Sequence, residues 1–347
     1  MTAFCGFTPE NRFFLAPMAG VTDAAFRMIC REQGAAVTYT EMVSAKGLLY
    51  DDRRTAELLI HPEETRPCGV QLFGREPEVM AEAARRTAEL CAPDFIDINM
   101  GCPVPKIFNN GEGSALMAQP ELAAEIVSAM KRAVPLPITV KFRAGIREES
   151  KNAVEFARRL EAAGADALCI HGRTRAQLYG GKSDRRIIAA VKRAVSVPVI
   201  ASGDAWPAAG CLDLLAETGA DFVMIARGAE GDPTIFADCL ALSRGEAPPE
   251  HTAAELLTVM RRHAALTCRL KGERRAMPEL RKHLLWYLGR LSGAKPYKNQ
   301  MAQVNTLAEL SAICDRLEQA GLKRKEEAYD RRADADPSCA GGGRAGL

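Results

Sequence analysis

Nowhere in the 347-residue chain do as many as about 18 apolar residues run together, so no segment reads as a membrane span. The amino terminus, Met1 to Phe14, lacks a basic stretch followed by a long apolar one, which argues against a secretory leader and for a cytoplasmic protein. Among the eleven cysteines no two lie within four positions of each other. That spacing removes zinc ribbons, CxxC redox pairs and local iron–sulfur motifs; no metal is expected, and most thiols read as buried apolar groups in a reducing compartment. Charge of one sign is missing too, because 46 Lys and Arg face 44 Asp and Glu for a net +2. Any affinity for a polyanion must therefore come from local clustering. Aromatic residues are only 6% of the chain, but apolar residues are 47%, enough for a sizeable core.

Eight short apolar runs of β type end in polar or glycine-rich punctuation near Ala19, Met42, Gly74, Gly101, Gly145, Arg173, Asp204 and Gly228. Segments of helical periodicity lie between them, such as Glu78–Cys91, Pro120–Ala133, Asn152–Ala163 and Arg185–Val195. Strand plus helix repeated in this way predicts an α/β protein whose residues 1–242 form a (β/α)8 TIM barrel. A doubly wound sheet is the competitor, but no GxGxxG follows the first strand. Gly180-Gly181-Lys182-Ser183 resembles the end of a P-loop, yet Ala176 stands where the first glycine belongs, so ATP binding is not expected.

Chemistry in a barrel gathers at the carboxyl ends of the strands. Strands buried on both faces should be almost wholly apolar, yet Asp97 with Asn99, then Thr139, Lys141 and Arg143, then Cys169, His171 and Arg173, each share one face near a strand end. Directly past the fourth strand stands Cys102, between Gly101 and Pro103. A free cysteine is usually a structural hydrophobe and a lone histidine usually a core residue; position above the barrel mouth argues otherwise for Cys102, while for His171 the two readings weigh evenly. Lys141, by residue type, also fits a Schiff-base lysine.

After a linker at residues 243–252 the composition changes. From Ala253 to Gln300, eleven Lys or Arg face three acids, an excess of +8 that leaves −6 for the rest of the chain. With Leu280, Leu284, Leu288 and Leu291 at helical spacing, residues 253–322 read as a small all-α domain with a basic surface. A solvated charged face and contact with a polyanion account for it equally well. Residues 323–347 carry few large apolar groups and read as a disordered tail.

LAPMAGVTD at 15–23, VQLFG at 70–74, IDINMGCPVPKIFNNGEGSALM at 96–117, TVKFRAG at 139–145, IHGRTR at 170–175 and ASGD at 201–204 together resemble the tRNA-dihydrouridine synthase family. KHLLWYL at 282–288 is similar to its bacterial B-type branch. The resemblance implies an FMN-dependent oxidoreductase that uses NAD(P)H to reduce the C5=C6 bond of specific uridines in tRNA to dihydrouridine. Hydride would reach C6 from flavin N5, and a proton would reach C5 from Cys102, since a thiol near its ordinary pKa is protonated and suited to donate. It further implies that Pro17, Met18 and Ala19 pack on the flavin, that Gln71 and Lys141 hydrogen-bond its polar edge, and that His171 lies beside it. The phosphate would rest on backbone at Ser202, Gly203 and Asp204 and at Ala226 and Arg227. Asn99, Arg143 and Arg173 would contact a uridine extruded from the folded RNA, with the basic domain gripping phosphates. The family usually has Asn at the place of Ser202, Gly at Ala226 and a small residue at Glu112. Competing readings are a flavin oxidoreductase on a free pyrimidine and a non-catalytic RNA-binding barrel protein. The chain is expected to act as a monomer without a stable protein partner.

Overall fold

The computed structural model describes residues 2–50 and 52–325; the expected disorder of residues 326–347 lies outside it. Eight parallel strands carry the fold: β1 (Phe13–Leu15), β2 (Thr38–Ser44), β3 (Cys68–Phe73), β4 (Phe95–Met100), β5 (Ile138–Arg143), β6 (Ala167–His171), β7 (Val199–Ser202) and β8 (Phe222–Ile225). From β2 to β8 each strand pairs with the next in sequence, and β8 pairs with β1. The ring closes between β1 and β2 through a parallel bridge from Phe14 to Val37. This is the TIM barrel read from the sequence, and the helices outside it include Pro77–Cys91, Pro120–Ala133, Ala153–Ala162 and Arg185–Ala194.

The strands are buried along their length because the barrel interior takes one face and the helix ring the other. Phe4 enters from the amino-terminal face and meets Phe14, Phe95 and Phe222 with ring centroids 5.1, 5.2 and 5.7 Å away. The aromatic cluster plugs that end of the ring, leaving the carboxyl ends for polar side chains.

After the Ile235–Ser243 helix, exposed residues without regular structure lead to the helices Ala253–Lys271, Glu273–Gly289 and Leu307–Gln319. Thr252 and Glu255 form a reciprocal capping box at the first of these. The three share a core around Met260, Leu284, Tyr287 and Ile313, separate from the barrel's. Lys323–Lys325, where disorder was expected, are instead held: Lys325 N–H donates to the Arg290 carbonyl at 2.8 Å, and Arg324 pairs with Asp232 at 2.5 Å.

The charge excess of this helical part has an internal partner. Arg262 pairs with Glu32 at 2.8 Å, Lys271 with Asp23 at 2.6 Å and Arg275 with Glu57 at 2.5 Å, while Arg269 meets Glu63. Arg261 turns to Asp315 within the helical part itself, at 2.7 Å. Part of the basic surface expected of this module thus faces carboxylates of the barrel. Arg274, Lys295 and Lys298 are exposed and, among the described residues, their side chains carry no hydrogen-bond or ion-pair partner.

The seam also buries two histidines. His263 and His283 stand 4.9 Å apart, both against Phe26 of the Ala24–Glu32 helix at 5.4 and 5.0 Å. Burial lowers both; His263 falls to about 4 despite the pull of Asp23, and His283 lies well below its ordinary range. Both imidazoles are thus neutral when folded, whereas the unfolded chain binds a proton on each from about pH 6.5 downward. Their contribution to stability is complete above pH 6.5 and is lost as the pH falls toward 4, for His263 by roughly 3 kcal/mol. Asp97, pushed up to about 6, acts in the opposite sense over part of that range. The expected result is that His263→Phe loses less stability than the wild type between pH 7 and pH 4.5 in urea titrations. Equal losses would show that this imidazole does not titrate on unfolding.

Candidate active site

The register of the parallel strands sets the site in rows. Gln71 lies opposite Asp97, Asn99 opposite Lys141, and Arg143 opposite His171. One hydrogen-bond chain crosses three of these strands. Thr139 Oγ1 donates to Asp97 at 2.6 Å, Gln71 Nε2 donates to the other Asp97 oxygen at 2.7 Å, and Asn99 Nδ2 donates to Gln71 Oε1 at 2.8 Å. Asn99 Oδ1 in turn accepts the N–H groups of Gly101 and Cys102 at 3.2 and 2.9 Å. The chain ends on the backbone of the thiol-bearing residue.

Asp97 was visible in the sequence as a polar residue in an apolar strand but was assigned no role. It is 1% exposed, and burial pushes its carboxyl up to about 6 against the pull of Gln71, Thr139 and Lys141. A buried carboxylate costs several kcal/mol unless it is fully hydrogen-bonded, and here both oxygens are. The carboxylate fixes Gln71, Gln71 fixes Asn99, and Asn99 fixes the loop. Expected contacts of Gln71 with a flavin and of Asn99 with a base must share these side chains with that task.

Cys102 is half-buried. Burial raises its thiol above the ordinary value, partly offset by the Val104 N–H, Arg143 and Lys141. The Cys102 carbonyl accepts Ser114 Oγ at 2.8 Å and Ser114 N–H at 3.1 Å, tying the two ends of the loop together. Gly113, at φ +58°, leaves no room for a side chain, since a Cβ there would stand 3.0 Å from Cys102 Cβ. Glu112 is buried, and burial raises its carboxyl while Lys46 and Arg75 hold it down.

Around the thiol gathers positive charge. The Lys141 ammonium makes no hydrogen bond or ion pair with any described residue, although it acts on Asp97 and Cys102. His171 is 8% exposed, its Nε2 is buried without a partner, and burial plus Arg143, Lys141, Arg173 and Arg227 drive it well below its usual pKa. A neutral imidazole with one orphaned nitrogen beside an unpaired ammonium is a donor set awaiting a ligand. Pro17 and Met18, half-buried, and Ala19, exposed, follow β1 at the same end of the barrel.

Two expected site residues have other occupations here. Arg143 donates Nε to the Gly101 carbonyl at 2.8 Å and Nη1 to the Thr174 and Leu178 carbonyls at 3.1 and 2.9 Å. Arg173 pairs with Asp204 at 2.8 Å and donates to the Gly180 carbonyl at 3.0 Å. Both guanidiniums tie βα loops together, a task that the expected contact with a base would have to share. Sequence parity placed them at the mouth but could not tell which carbonyls would take them.

Past β7 and β8 the backbone suits an anion. Gly203 has φ +106°, and a Cβ there would come within 2.6 Å of His171. Among the described residues neither the Gly203 nor the Asp204 N–H has an acceptor. Ala226 stands at φ −111° and ψ −101°, directly before the short turn Arg227–Ala229. Arg227 lies over the rings of Trp206 and Tyr179, 4.6 and 4.8 Å from their centroids. Ser202, 4% exposed, closes β7 directly beneath. The residues present thus fit a flat, phosphate-bearing cofactor: free amides for the phosphate, Lys141 and His171 for polar ring atoms, and Pro17 to Ala19 as an apolar wall. Among the described residues no group of His, Cys, Asp and Glu could hold a metal ion.

The chain matches the dihydrouridine synthase family over residues 14–325. It is 41% identical over 320 residues to a tRNA-dihydrouridine synthase B of Pseudomonas aeruginosa, covering 92% of this chain and 95% of that one. It is also 41% identical to a probable tRNA-dihydrouridine synthase 1 of Synechocystis, covering 89% and 86%. Among solved structures it resembles a 6-hydroxypseudooxynicotine amine oxidase of Pseudomonas geniculata, with TM-score 0.55 and 16% identity over 74% of this chain. The chain spans about half the length of that structure, 52%, and the likeness concerns the fold alone.

Proposed function

This chain belongs to the dihydrouridine synthase family, and from that premise we propose that it reduces the C5=C6 bond of uridines in tRNA, with FMN as cofactor and NAD(P)H as the electron source. The observation that carries the reading is a half-buried thiol, Cys102, held past the end of β4 by a buried hydrogen-bond chain, at the barrel mouth that also holds the unpaired Lys141 ammonium and the orphaned Nε2 of His171.

FMN, held by Lys141, His171 and the Gly203 and Asp204 amides, would supply the hydride-transfer chemistry between NAD(P)H and C6 of the pyrimidine. The chain's own groups do the rest. Hydride addition at C6 places negative charge on C5 and O4, and Cys102 Sγ–H donates its proton to C5, leaving a thiolate that solvent reprotonates. Burial suits this role, because a raised thiol keeps its proton at neutral pH, whereas a nucleophilic cysteine needs a lowered one. Lys141 brings a cation into a low-dielectric site where charge develops, which favours the anionic form of whatever acceptor it meets. His171 Nε2 and the Gly203 and Asp204 amides orient and anchor. Arg143 and Arg173 hold the loops that exclude water. A uridine inside folded RNA reaches this cavity only when flipped out of its stack. A free pyrimidine would leave unexplained the helical domain covering residues 253–322, whose exposed Arg274, Lys295 and Lys298 suit phosphates.

The test is direct. Purified chain should release FMN on denaturation and, with NADPH and unmodified tRNA, add two hydrogens to defined uridine-containing fragments seen by mass spectrometry. Reduction of free uridine or orotate at a comparable rate, with tRNA untouched, would favour the small-substrate reading; colourless protein would favour a flavin-free RNA binder.

A further inference from the structure

The β1 loop that carries Met18 and Ala19 is gripped from the helical domain. Gly20, at φ +72°, accepts a hydrogen bond on its carbonyl from Lys282 Nζ, and its N–H donates to the Glu41 carboxylate in the middle of β2. A Cβ on Gly20 would stand 3.1 Å from Lys282 Nζ, so the ammonium is seated directly against the backbone. Three residues on, Asp23 caps the Ala24–Glu32 helix through Phe26 N–H at 3.0 Å and pairs with Lys271 at 2.6 Å. The same short loop is therefore held at two points by cations from two helices of the appended domain. Between those points Val21 and Thr22 N–H groups close back on the Met18 carbonyl at 2.9 and 3.0 Å.

We propose that Lys282 is a positioning residue for the cofactor: by clamping Gly20 between itself and Glu41 it sets the Pro17–Ala19 segment against the flavin, coupling the helical domain to the redox centre. The physical case rests on the kinds of group involved. Two successive peptides, the first held on its N–H by a carboxylate and the next on its carbonyl by an ammonium, are fixed by two charge-assisted bonds, about twice as strong as neutral ones. A glycine at positive φ would otherwise be among the most mobile points of the loop. Force or displacement at the second domain helix is transmitted to Met18 through two residues of backbone, a shorter route than any through the barrel wall. The inference rests on the reading of Met18 and Ala19 as flavin-packing residues, and its test separates the two.

The experiment compares wild type with Lys282→Met, Lys282→Arg and, as a control, Lys295→Met, which alters an exposed cation far along the chain. In apoprotein, Lys282→Met should speed amide exchange at Gly20, Val21 and Thr22 by about tenfold, the scale of one lost charge-assisted hydrogen bond. In titrations with FMN it should weaken binding about tenfold and shift the visible absorption band of the bound flavin. Lys282→Arg should restore both, and Lys295→Met should change neither. Unchanged exchange in Lys282→Met would overturn the clamp, and faster exchange with wild-type flavin affinity and spectrum would overturn its link to the cofactor. Loosening of the loop in a chain whose wild type binds no FMN would instead sink the functional reading while leaving the clamp standing.

Discussion

Replacing Cys102 by alanine should abolish dihydrouridine formation almost completely while leaving flavin binding and its reduction by NADPH intact. General acid catalysis is worth about a hundred- to ten-thousandfold, and alanine has no proton to give. The fold should tolerate the change, because the thiol is half-buried and the loop is held by backbone groups: Asn99 Oδ1 takes the residue's N–H and Ser114 its carbonyl. Single-turnover measurement makes the split clear, with oxidation of pre-reduced enzyme by tRNA slowed and reduction by NADPH unaffected. Were the alanine variant to form dihydrouridine at the wild-type rate, the proton would come from another group or from water.

The second large effect is on stability. Arg27 and Glu64 are 2% and 1% exposed in their side chains and meet through Nε at 2.6 Å and Nη2 at 2.5 Å. Arg27 Nη1 also donates to the Thr22 carbonyl at 2.6 Å, and Glu64 accepts the His61 N–H at 2.6 Å. Glu64 and its hydrogen bonds hold the guanidinium well above its ordinary pKa against the effect of burial, so the cation is never relieved by deprotonation. Glu64→Gln leaves it buried beside a neutral amide, at a cost of about 3–5 kcal/mol, a large fraction of the roughly 5–15 kcal/mol that holds a typical domain folded. Arg27→Met with Glu64→Leu removes both charges and should recover much of the loss, because an apolar pair of similar volume replaces a desolvated one. Urea midpoints of the single and double variants decide it; a double variant less stable than Glu64→Gln would mean that the pair is worth more than its desolvation.

Much of this molecule could be read from its residues. Strand ends were legible because polar side chains break long apolar runs, and the helix pattern followed from periodicity, with Pro120–Ala133 observed over the residues expected. Cys102 stood out through its place between Gly101 and Pro103 just past a strand. Less legible was what the mouth residues hold. Arg143 reaches carbonyls at residues 101, 174 and 178, a choice made only once three loops have met in space. The link from Thr139 through Asp97, Gln71 and Asn99 to Cys102 crosses strands separated by long helices. Its one sequence signal was a carboxylate in a run with no solvent-facing side. His263 and His283 lay on apolar helix faces where a histidine more often than not is a core residue, and they became visible as a pair when two helices packed against Phe26.

The acidic barrel meeting its own basic appendage has a bearing on how RNA is held. Arg262, Arg269, Lys271 and Arg275 already carry carboxylate counterions from the protein, so they have little left to offer a phosphate backbone. Fewer condensed sodium or potassium ions are then expelled when tRNA docks, and the steepness with which affinity declines in added salt should reflect Arg274, Lys295, Lys298 and their like. Recognition then leans on shape and on the captured nucleobase more than on bulk electrostatics.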